Sequence, residues 1–184
     1  MSLRLIRIVF IVTIILLLPL IAMQFTNEVS WGFSDFILMG SALISIGVLY
    51  ELVAKKSKKP LYRFAFGIGL FGAFSLFWVN SAVGIIGSEN QDVNLLYGIV
   101  IVVGFIGSII SRFKPKGMSN TLFATALTQM LIPLVVFLIW PPPKISWSPS
   151  IFGVFFLSSF FSLIFLVSAI LFRKSITKNL KYIK

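Results

Sequence analysis

The segment KKSKKPLYR, residues 55–63, places Lys55, Lys56, Lys58, Lys59 and Arg63 between two long apolar runs, near 34–54 and 64–87. A helix rises about 1.5 Å per residue, so about 20 apolar residues cross a hydrocarbon core. Both flanking runs meet that length, and the basic segment reads as the connection between two spans. Four more runs of this kind lie near 5–25, 94–111, 119–140 and 150–172.

The remaining basic residues follow the same pattern. Arg4 and Arg7 precede the first run, and Arg112, Lys114 and Lys116 separate the fourth from the fifth. Arg173, Lys174, Lys178, Lys181 and Lys184 follow the sixth. With six spans, fifteen of the sixteen Lys and Arg fall on one side and Lys144 stands alone on the other. Positive charge is retained in the cytoplasm during insertion, so the alternation predicts that both termini are cytoplasmic. An odd number of spans would destroy it. The expected fold is therefore all-α: a polytopic membrane protein in which residues 1–184 form one six-helix transmembrane domain, with 173–184 as a basic cytoplasmic tail.

Composition agrees. A hydrophobic content of 58% and a mean hydropathy of +1.04 exceed what one water-soluble core of 184 residues could bury. The chain has no cysteine and no histidine. Disulfides, thiolate nucleophiles, Ser/His/Asp sets and the commonest metal and haem ligands are thereby removed. The net charge of +11 is split into short clusters between apolar runs, which is the pattern of topology determinants and not of a nucleic-acid face. No cofactor, metal or nucleic acid is expected.

Local signals fit the threading. Trp31, Tyr97, Trp140 and Trp147 fall at expected outer ends, and Tyr50, Tyr62 and Tyr182 at inner ends, as aromatic belts at the headgroup level would. WPPPK, residues 140–144, removes backbone donors and should stop the fifth helix. The first run continues to Phe25 without a small-x-small cleavage site and reads as a retained span. Pro19 and Pro133 mark places where the first and fifth helices could kink. The two three-helix halves show no convincing repeat. Connections this short leave any function within the helices or at their rims.

The stretch FWVNSAVGIIGSENQDVNLLY, residues 77–97, carries polar residues out of an apolar run. At 100° per residue, Gly69, Gly72, Asn80, Gly84 and Gly87 share about a third of a helix circumference. Two readings stand: a packing face with Asn80 bonding a neighbour, or a substrate or ion site containing Asn80. If the third helix runs to Gly87, Asn80 lies about 10 Å below its end. Beyond it, Ser88 to Asn94 are residues suited to capping helix ends and bonding loop amides.

Glu51 shares a stripe with Gly40, Ile44 and Gly47 and precedes Lys55 by one turn. An interfacial pair with Lys55 competes there with a proton- or cation-handling carboxylate. Thr121, Thr125, Thr128 and Gln129 share a face of the fifth helix, as Gly104, Gly107, Ser108 and Ser111 do on the fourth. Each face serves packing or, for the fifth helix, a polar pathway. Glu28, Asp35, Glu89 and Asp92 gather on the outer side as solvated acids, or Glu89, Asn90, Asp92 and Asn94 offer oxygens to a hard cation. Asp35 and Glu51 lie about 24 Å apart along one helix and cannot form a catalytic pair. The candidate polar site thus comprises Asn80, Glu89, Asn90, Asn94, Glu51, Thr125 and Gln129.

AMQFTNEVSWGFSDF, YELVAKK, FWVNSAVGIIGSENQDVNLLY and FKPKGMSNTLFATALTQ together resemble an uncharacterised family of small bacterial multi-pass inner-membrane proteins. The likeness covers most of 18–137, is strongest from Trp78 to Asn94, and does not reach the final span and tail. It implies a bacterial inner-membrane location and no activity, and it directs attention to the rim between the third and fourth helices. The function expected is that of a non-catalytic structural or accessory membrane component. A small channel or transporter for a small solute or cation is the alternative. Expected partners are the lipid bilayer, anionic lipids at the cytoplasmic face, and a homo-oligomer or a membrane partner subunit. In the tail, Ile176, Leu180 and Ile183 recur at one face among lysines, a pattern suited to an anionic leaflet.

Overall fold

The computed structural model describes residues 3–26, 29–55 and 57–177. Among them the regular structure is helical: α1 (Leu3–Phe25), α2 (Phe33–Ala54), α3 (Pro60–Ala82), a short 3-10 helix (Asp92–Tyr97) running into α4 (Gly98–Ile110), α5 (Pro115–Ile139) and α6 (Ile151–Thr177). Six helices, the fourth counted from Asp92, are long and apolar enough to cross a membrane. Their outer faces carry large apolar side chains. Phe152 is 80% exposed, Ile110 76% and Leu138 71%.

The helix contacts gather into two compact units, Met1–Lys56 and Ser57–Lys184. In the first, α1 packs on α2 through glycines. A Cβ on Gly47 would sit 2.8 Å from Cγ2 of Ile8, and one on Gly40 would meet Leu16 at 3.4 Å. Lipid gives apolar faces no hydrophobic drive to associate, so close backbone approach at small residues supplies the contact. Asp35 closes the start of α2, its Oδ2 accepting the Gly32 N–H at 2.7 Å. Ser41 and Ser45 donate their hydroxyls to Leu38 and Ser41 carbonyls one turn back, which satisfies them within the helix.

In the second unit α5 and α6 pack along their lengths, with α3 against α6 and α4 against α5. The same small-residue logic holds. Gly72 faces Ile164 and Phe165, Gly69 faces Ser168 and Leu122, Gly104 faces Thr125, and Gly107 faces Thr121. The packing faces expected on α3 and α4 are thus real, but Gly84 and Gly87 are not part of them. The core includes Leu76, Val100, Val136, Val154 and Phe172. Pro60 and Pro115 open α3 and α5, where a missing N–H costs nothing.

Several expectations change. α3 ends at Ala82, not near residue 87, and α6 reaches Thr177, so Arg173 and Lys174 lie on a helix. Tyr97, Tyr62 and Trp147 are buried within the protein instead of facing headgroups. Tyr62 donates its hydroxyl to the Phe113 carbonyl at 2.7 Å and stacks edge-on against Phe172. That bond steadies the α4–α5 turn, where Arg112 and Phe113 hold left-handed φ values of 51° and 57°. α5 stops at Ile139 before the prolines, as expected. Glu28, Lys56, Lys178, Lys181, Lys184, Leu180, Tyr182 and Ile183 lie outside the described residues.

Candidate functional site

After Ala82 the chain leaves the helix and folds back on itself. Gly84 and Gly87 adopt φ of +73° and +74°, the left-handed region that only glycine enters without strain. A Cβ on Gly84 would lie 2.5 Å from the Ser88 carbonyl carbon, and one on Gly87 would run into the Gln91 side chain. This turn brings Ile85 and Ile86 inward until they are fully buried. Their peptide groups then lose water and need protein partners.

Asn94 provides them. Its Oδ1 accepts the N–H groups of Ile85 (3.1 Å) and Ile86 (2.9 Å), and its Nδ2 donates to the carbonyls of Ile86 (3.0 Å) and Ser88 (2.7 Å). A carboxamide has two donors and two acceptor positions, and all four are used. The Asn94 carbonyl in turn accepts the Nδ2 of Asn80 at 3.0 Å.

Gln91 ties this turn to the α5–α6 connection. Its Nε2 donates to the carbonyls of Ile86 (2.7 Å) and Ser146 (3.0 Å), and its Oε1 accepts the Ser146 N–H at 2.9 Å. The Gly87 N–H reaches the Ser148 carbonyl at 3.1 Å. On the same connection Trp147 donates its indole N–H to the Trp140 carbonyl at 3.1 Å and meets Phe137 edge-on. The rim is a hydrogen-bonded cap over one end of the second unit.

The sequence-derived candidates therefore divide. Asn80 and Asn94 are brought together. Glu89 accepts a bond from Asn90 at 3.1 Å on the exposed surface. With Asn94 Oδ1 already holding two N–H groups, the four-residue cation set loses its central oxygen. Among the described residues no cluster of acids could hold a metal ion. Asn80 stands two residues from the end of α3, not about 10 Å below it, because the helix is shorter than its apolar run suggested.

Glu51 belongs to the first unit, and its ion-pair partner is Arg4 of α1 at 3.6 Å, not Lys55. On α5, Thr125 and Thr128 bond back to the Thr121 and Ala124 carbonyls, both at 2.9 Å, as hydroxyls in apolar helices do. Gln129 has no such option. It is 0% exposed, and neither its Oε1 nor its Nε2 has a hydrogen-bond partner; Asn80 Oδ1 shares that condition.

Sequence reasoning missed Gln91 and Ser146 as rim partners, and Tyr97 with Ser158, whose buried hydroxyls meet at 2.9 Å. The polar run after Gly87 signalled the first pair. Nothing local signalled the second. The class defined among the described residues is all-helical, with six helices long and apolar enough to span a membrane and, at one end of the second unit, a polar rim. Set against family models, curated proteins and solved structures, the chain matches none.

Proposed function

We propose that the chain is a non-catalytic integral protein of a bacterial inner membrane, acting as a structural or accessory component for a membrane partner subunit or a second copy. The observation that carries this reading is Asn94, whose full hydrogen-bonding capacity goes into shaping the rim. The most conspicuous polar group of the sequence is thus structural. Both termini are placed in the cytoplasm on the strength of the basic residues, which also suit anionic lipids there. The bacterial assignment rests on the resemblance centred on Trp78 to Asn94.

A second reading, a small channel or transporter for a small solute or cation, draws support from the unpartnered amide of Gln129. Solubilisation in mild detergent should recover a stoichiometric membrane partner or a defined oligomer. Purified protein that is monomeric and alone, yet conducts a solute in proteoliposomes, would replace the accessory role with transport. The threading has its own test on the cysteine-free background. Impermeant thiol reagent in the periplasm should label cysteines placed at the exposed Asn90 and Lys144 and spare those at Ser57 and Lys174. Labelling of Ser57 from outside would overturn it.

A further inference from the structure

The register of α5 against α6 fixes the level of Gln129. Ser162 donates its hydroxyl to the Ala126 carbonyl at 2.9 Å, and one turn further along Ser159 reaches Met130 Sδ at 3.5 Å. Gln129 and Ser158 therefore occupy the same layer. Tyr97 joins them through its bond to Ser158. On the α4 side, Gly104 lies beside Thr125, one turn from Gln129 on the same face. Gln129 is ten residues from the end of α5 at Ile139, about 15 Å along the axis.

The layer has an unbalanced inventory. Gln129 offers two N–H donors and an acceptor oxygen, none of them used. The Tyr97 and Ser158 hydroxyls carry two protons but share one bond, so one O–H is left without a protein acceptor. A buried amide with neither group bonded is costly, more so where lipid surrounds the helices. Thr125 and Thr128 bond within their own helix and Ser162 bonds across to Ala126, but the Gln129 side chain meets no such partner.

We propose that Gln129, with the Tyr97–Ser158 pair, forms an interior site for a small neutral molecule that both donates and accepts hydrogen bonds. Charge decides the class of ligand. No carboxylate lies on α3, α4, α5 or α6, so a bare cation would find no counter-charge. The cations of those helices stand near their ends, at Arg63, Lys116, Arg173 and Lys174, far along α3, α5 and α6 from this layer. Water, urea and glycerol share the required chemistry. The inference concerns occupancy, so it stands whether or not the molecule crosses the membrane.

The chain contains three glutamines, Gln24, Gln91 and Gln129, so side-chain 15N-glutamine labelling gives a simple spectrum of the full-length protein in bilayers. Loss of one signal in Gln129→Met assigns it. Magnetisation transfer from water to the Gln129 amide protons is expected at short mixing times. Repeating the measurement with 13C-urea or 13C-glycerol separates the sources. A solute cross-peak that displaces the water peak identifies a solute site, and an unchanged water peak identifies bound water. No transfer from any of the three would overturn the site. Thermal unfolding gives an independent check. Removing a dry, unpartnered amide should raise the melting temperature, whereas removing an occupied one should not. A rise in Gln129→Met would overturn the inference.

Discussion

Asn94 at the rim and Gln129 inside the helices are both carboxamides, 3% and 0% exposed. One makes four hydrogen bonds, and the other makes none. Their surroundings explain the contrast. Asn94 lies beside a chain reversal whose peptide groups have left their helix, so donors and acceptors are plentiful. Gln129 lies among helices whose peptide N–H groups are already bonded, and shorter hydroxyls such as that of Ser162 take the carbonyls nearby. The same side chain is consumed as structure where backbone is irregular and left available where backbone is regular.

That contrast can be broken at several points. Asn94→Leu would leave the N–H groups of Ile85 and Ile86 without a partner, whereas the carbonyls of Ile86 and Ser88 would lose one bond each and keep a Gln91 donor. At about 1.5 kcal/mol for each orphaned N–H and about 0.5 kcal/mol for each bond lost at a carbonyl, the loss should reach about 4 kcal/mol. Limited proteolysis should then cut between residues 83 and 91, where the wild type resists. Gly87→Ala attacks the same turn through the backbone. A left-handed φ and a collision with Gln91 should together cost about 2–3 kcal/mol, read as a lower denaturation midpoint with an unchanged slope.

Gln91→Leu keeps the turn but severs it from Ser146, at about 1–2 kcal/mol. Its signature should be faster amide hydrogen exchange at Ser146 with little change at Ile86, whose N–H stays on Asn94. An equal rise at both would show that the two ties are not separate. Asn80 is intermediate, with its Nδ2 bonded and its Oδ1 unpartnered. Asn80→Leu should cost only about 0.6 kcal/mol, the average for interhelical bonds in membranes. A loss above about 2 kcal/mol would show that Asn80 organises the rim and does not merely join it.

The six helices were legible because lipid imposes a simple rule: about 20 apolar residues per span, with basic residues in alternate connections. The end of α3 was not. AVGIIG reads as a continuing apolar helix, and its hydropathy does not distinguish a span from a turn that buries Ile85 and Ile86. Only the left-handed φ of Gly84 and Gly87 separates them. Glu51 was given Lys55 because the i, i+4 rule is local, whereas Arg4 arrives from the antiparallel α1. Tyr62 and Tyr97 were given to headgroups because their sequence positions match a belt; their hydroxyls instead found protein acceptors. That Asn94 would bond loop amides followed from residue type, whereas the tie from Gln91 to Ser146 did not. Which amides they bond depends on a fold-back that hydropathy hides.

The difference between the two amides can be measured on one axis, by equilibrium unfolding of Asn94→Leu and Gln129→Met in the same lipid–detergent mixture. Asn94→Leu is expected to lose about 4 kcal/mol, close to a thousandfold in the folding equilibrium, and Gln129→Met less than about 1 kcal/mol. If Gln129→Met loses as much as Asn94→Leu, or if Asn94→Leu unfolds within about 1 kcal/mol of the wild type, the division between a structural rim and an available interior is wrong.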